Sequence, residues 1–199
     1  MTITKRFRWL SLIGLSGVLV GCSSVHIQTG PQTDAEVTQQ SEDTGRSFKT
    51  TWADRLQSAS PVQQAGMLKL FMDSTTARFL RMGEQVNQSW RDESRRRGSQ
   101  VPVSEIRTMV ERSTQLDLPM LEAYEDVLEY GVGLIHDNRQ LDAGAEGKLV
   151  KYRDLYLEIY SAVFYPNGTR EEFENQLQLL GNRALEASQE LETELSRSR

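Results

Sequence analysis

The chain is poor in the residues from which redox centres, metal sites and activated nucleophiles are built. Among 199 residues there is one cysteine, Cys22, and there are two histidines, His26 and His136. A single cysteine excludes an intrachain disulfide, so any folded part must be held by its packed core. A serine-class hydrolase needs a base beside its nucleophile, and His136 is the one histidine outside the polar N-terminal stretch. No G-x-S-x-G segment occurs, and no glycine-rich phosphate loop leads into a helix. A di-iron bundle needs Glu-x-x-His pairs, whereas Gly133 stands three residues before His136. The acids between His136 and Gly144 do not alternate as in a calcium loop, and no glutamate closes the frame. These absences predict a chain without metal, without cofactor and without catalysis. His136 itself fits a place near a helix carboxyl end, where the dipole favours a cation.

Long apolar runs are lacking too. The longest, Trp9 to Val20, holds about a dozen residues, against the roughly 20 that a spanning helix needs. Lys5, Arg6 and Arg8 precede it, the order of an export signal. It ends in Leu19-Val20-Gly21-Cys22. That stretch resembles the bacterial lipoprotein class, whose lipobox is a leucine, a small or aliphatic residue, a glycine or alanine, and an invariant cysteine. The likeness covers residues 5 to 22. It implies cleavage by signal peptidase II before Cys22, and a diacylglycerol thioether and acylated amino terminus on that residue. Several acyl chains such as palmitate hold firmly where one would not. Ser23 in place of aspartate implies release to the outer membrane in Gram-negative members of the class, with the protein on its periplasmic face.

On this reading residues 1–21 are the signal peptide, 22–46 the lipidated cysteine with a disordered tether, and 47–199 one helical domain. The tether is polar and aperiodic, and as a flexible coil would span roughly 25–30 Å. His26 lies within it as a solvated residue. Removal of residues 1–21 takes away Lys5, Arg6 and Arg8, leaving 20 basic against 28 acidic residues, a balance of −8. That sign argues against a nucleic-acid partner.

The rest of the chain has the period of helices and no strand signal of comparable strength. Trp52 and Leu56 suggest a turn or two near Lys49–Ala59. Ser60-Pro61 reads as an N-cap with proline at the first helical position. From there Leu68, Met72, Phe79, Met82 and Val86 form a seam that ends at Arg95-Arg96-Arg97-Gly98, a basic last turn and a glycine cap. Ile106, Met109, Val110 and Leu116 open a second region, which Pro119 kinks or splits. Leu121, Tyr124, Leu128, Gly131 and Ile135 continue it, with Gly131 and Gly133 as points of close approach or a bend. A third helix runs from about Glu146 to Phe164. A fourth, with a Thr169/Glu172 capping box, carries Phe173, Leu177, Leu180, Ala184, Ala187, Leu191 and Leu195. Its tail, with Glu186, Glu190 and Glu194, suggests a projecting arm. The expected fold is all-α, about four long amphipathic helices in an antiparallel or kinked bundle.

Tyr152, Tyr156 and Tyr160 recur at four-residue steps on the third helix. They either fill the edge of the core or form a partner-binding face, since aromatic residues are enriched at interfaces. The function expected is a lipid-anchored, non-catalytic scaffold, assembly or accessory factor for an envelope protein, held to the membrane through Cys22. The alternatives are a carrier or sensor of an apolar molecule held between helices, and an enzyme using His136 with carboxylates.

Overall fold

The computed structural model describes residues 34–114, 117–138 and 141–198. The expected signal peptide, Cys22 with its lipobox, His26 and Leu116 lie outside them. Among the described residues the fold is all-α, with six helices in place of about four: α1 (Asp34–Gln57), α2 (Pro61–Arg97), α3 (Val103–Thr114), α4 (Leu118–Asn138), α5 (Ala143–Phe164) and α6 (Arg170–Arg197). None is long and apolar enough to cross a membrane.

Two differences account for the extra helices. The region interrupted by Pro119 is split into α3 and α4, with proline in the first turn of α4, where its missing donor costs least. The other is α1, which begins at Asp34, so the part of the expected tether from Asp34 to Arg46 is helical. Its own apolar pattern is thin, and neighbours supply the rest. Gly45 is packed so closely that a Cβ there would lie 2.7 Å from the Pro119 carbonyl oxygen. Phe48 and Trp52 then meet rings from two other helices, with centroids 5.3 Å from Tyr124 and 5.2 Å from Phe71 respectively.

The caps follow the sequence. Ser60 and Gln63 form a reciprocal capping box ahead of Pro61, and Gly98 closes α2 in the left-handed region at φ 68°. The Trp90 indole donates to the Val101 carbonyl at 2.9 Å, folding the α2–α3 link back on α2. Thr169 and Glu172 make the second capping box, after Gly168 at φ 73°.

Side-chain pairs fix the directions. Lys49 meets Asp126 and Gln57 meets Tyr130, so α1 runs parallel to α4. Asp73 meets Tyr152 and Phe79 meets Tyr160, so α2 runs parallel to α5. Trp90 meets Phe173 and Lys69 meets Glu192, so α6 returns antiparallel to α2. The long α2 packs against α4, α5 and α6, while α1 lies chiefly on α4. All seven apolar seam positions of α6 are buried, Leu191 and Leu195 included. Its tail therefore lies on the body and does not project, and Glu190 accepts from both Lys148 and Lys151.

Candidate functional site

The tyrosine row points inward. Tyr152 and Tyr156 are each 2 % exposed and belong to the core; Tyr160 is half-buried against it. As a partner face the row is thus corrected at its first two positions, because α5 is covered by α2 on one side and α6 on the other. The rings continue a string of aromatic contacts, with Phe79 lying 5.4 Å from Tyr156 and 5.6 Å from Tyr160, and Tyr160 4.7 Å from Phe164. Burial pushes the Tyr156 hydroxyl well above its ordinary pKa, and the Tyr160 hydroxyl upward too. Both hydroxyls therefore stay protonated at neutral pH.

Tyr152 leads to the most structured polar group of the molecule. Its hydroxyl and that of Ser188 both donate to Asp73 Oδ1 at 2.7 Å, while Lys69 Nζ reaches Oδ2 at 2.9 Å and Glu192 at 3.1 Å. One carboxylate so ties α2, α5 and α6. Burial raises the Asp73 carboxyl, but the hydrogen bonds from Tyr152, Lys69 and Ser188 outweigh it and hold the net pKa below the ordinary value. Burial lowers Lys69, yet its two carboxylate partners bring the net above the usual lysine range. Tyr152 is raised by burial and again by Asp73. Through these bonds the group holds α2, α5 and α6 together at one point. The sequence carries a faint sign of it: Lys69, Asp73 and Ser188 each lie one residue from a seam position, where a charge or hydroxyl meets the core boundary.

His136 stands near the carboxyl end of α4, as expected. Its Nδ1 lies 2.8 Å from Glu146 Oε1, and its side chain is 73 % exposed. The imidazole is open to solvent, while the Glu146 side chain is only 25 % exposed. Among the described residues no cluster of three His, Cys, Asp or Glu side chains is placed to hold a metal ion. At the same end, Val62, Leu141, Asp142, Glu194, Arg197 and Ser198 line an open depression of about 580 Å³. It is wide and solvent-facing, without a buried polar group at its floor.

Of the basic run, Arg96 and Arg97 pair with Glu93, and Arg97 also meets Glu105 at 2.8 Å. Arg95 has no ion pair among the described residues and caps α2 through its backbone. Gly131 is a close approach, since a Cβ there would lie 2.7 Å from a Leu68 methyl; Gly133 is not, since a Cβ there would meet open space.

Sequence reasoning missed the apolar residues left outside. Leu70 is 68 % exposed and Leu185 59 %. Leu70, Ser74 and Ala77 follow at helical steps on the outer face of α2. Leu185 lies one turn from Gly181, which abuts Leu80, and so borders the same α2–α6 seam. The seam between them carries the charged group of Lys69, Asp73 and Glu192. Among the described residues the chain is thus an all-α bundle with Leu70 and Leu185 exposed on α2 and α6. No family model, no curated protein and no solved structure matches it.

Proposed function

We propose that the chain is a lipid-anchored protein of the periplasmic face of the outer membrane, acting as a non-catalytic scaffold, assembly or accessory factor for another envelope protein. The anchor rests on the Leu19-Val20-Gly21-Cys22 resemblance. The binding role rests on one observation: the aromatic side chains that would line a ligand cavity are packed in the core, while Leu70 and Leu185 stand outside it. A carrier of apolar molecules needs room between helices, and Tyr152 and Tyr156 occupy that room. Docked helices or strands gain by covering exposed leucines, at about 25 cal/mol per Å² of apolar surface removed from water.

Photocrosslinking tests this reading. A photoreactive amino acid in place of Leu70, in the full chain in intact cells, should give one discrete adduct with an envelope protein. Adding Leu185→Asp should abolish that adduct and leave the protein folded. Absence of an adduct, with a small molecule retained in native mass spectrometry, overturns the scaffold reading in favour of the carrier.

A further inference from the structure

We propose that the turn between α5 and α6 carries a self-modification site: Asn167 is converted to a carboxylate by attack of the Gly168 amide nitrogen on its side chain, and the product clamps α3 through Arg107.

The chain has five asparagines, and Asn167 alone is followed by glycine. Cyclisation brings the next residue's amide nitrogen onto the asparagine Cγ, so a Cβ on that residue and a hydrogen-bonded amide both oppose it. Asn87, Asn175 and Asn182 lie inside α2 and α6, and Asn138 is the last residue of α4. All four precede residues with long side chains. Asn167, Gly168 and Thr169 are instead exposed in the turn that leads to the α6 cap. Gly168 stands at φ 73°, and among the described residues its amide donates no hydrogen bond. Asn167 Nδ2, the group to be expelled, has no acceptor there either.

Arg107 bears on both the reaction and its outcome. Its Nε donates to the Pro166 carbonyl oxygen at 2.8 Å, and its Nη2 donates to Asn167 Oδ1. The guanidinium thus faces the oxygen that gains charge as the nitrogen adds to Cγ. The new bond joins Gly168 N to Asn167 Cγ, the Cγ–Nδ2 bond breaks, and ammonia leaves with the Gly168 amide proton. Water then opens the five-membered imide, at Cγ to give aspartate or at the main-chain carbonyl to give isoaspartate. Before the reaction Arg107 has no ion pair among the described residues. Afterwards it faces a carboxylate, and a charge-assisted bond is roughly twice as strong as a neutral one. That bond ties α3 to the start of α6.

The test incubates the full, folded chain in heavy-oxygen water at mildly alkaline pH, then digests it in ordinary water and reads each asparagine by peptide mass spectrometry. Asn167 should take up heavy oxygen at least about tenfold faster than Asn87, Asn138, Asn175 or Asn182. Uptake no faster than at those four, or uptake only after unfolding in urea, overturns the site. The clamp is read separately in Asn167→Asp, whose α3 amides should exchange about threefold more slowly than those of wild type, a gain that Arg107→Gln should abolish. Exchange unchanged in Asn167→Asp, or a gain that survives Arg107→Gln, overturns the clamp.

Discussion

Helices α1 and α6 are of similar length, yet they hold to the molecule in different ways. α6 starts at a capping box and buries a complete seam of its own, from Phe173 to Leu195, against α2 and α5. α1 has a glycine in its middle and few apolar residues, and owes its place to rings contributed by α2 and α4. A helix that carries its own packing surface is specified locally. One that borrows its surface is specified only when the partners are assembled.

The largest effect should come from cutting α6 at its deepest ring. Phe173→Ala leaves a cavity beside Trp90 and is expected to cost about 3–5 kcal/mol, read as a fall in the urea midpoint at unchanged slope. Trp52→Ala on the partly exposed face of α1 should cost about 1–2 kcal/mol and raise amide exchange in α1 well before α6. Equal losses would erase the contrast.

The Asp73 group sharpens the comparison by testing what fixes α6 beyond its seam. Asp73→Asn should destabilise by about 1–3 kcal/mol at pH 7, since Lys69 and two hydroxyls lose a charged acceptor. The pH dependence has a definite sign. The folded Asp73 pKa lies below its ordinary 3.8, so its contribution is complete above that value and is lost as pH falls through the folded pKa. Wild type and Asp73→Asn should therefore keep a constant gap from pH 7 to about pH 5 and converge below about pH 4.

The two glycines of α4 should respond with opposite signs. Gly131→Ala forces a Cβ against Leu68 and Leu56 and is expected to cost about 1–3 kcal/mol. Gly133→Ala has open space and should stabilise by about 0.5–1 kcal/mol through helix propensity. Calorimetric midpoints of the two variants decide it. A comparably small effect is expected at the α6 cap, where Thr169→Ala removes an acceptor for the Glu172 amide and should cost about 1 kcal/mol.

The contrast also explains what the sequence discloses. α2 and α6 are legible to within their caps, because Ser60-Pro61, Gly98 and Thr169 punctuate helices with a sustained period, in which Thr75 fills the one slot of α2 between Met72 and Phe79. The first half of α1 reads as tether, since its polar residues reveal nothing of Pro119 and Tyr124 waiting on α4. The tyrosine period is plain, but period alone does not say which side a neighbour will cover. Burial of Tyr152 and Tyr156 follows from α5 lying between α2 and α6, a matter of topology. Asp73 is invisible as a site because its partners are 79 and 115 residues away along the chain. Leu70 and Leu185 are unreadable for the converse reason, since nothing in a sequence marks a leucine that no helix covers.

The anchored scaffold depends above all on Cys22, and intact-mass spectrometry of protein extracted from envelopes tests it most directly. The account predicts a chain that starts at Cys22, lacks residues 1–21, and is heavier than its bare sequence by a diacylglycerol and a further acyl group. A chain that retains residues 1–21, or a mature chain with an unmodified Cys22, would contradict it.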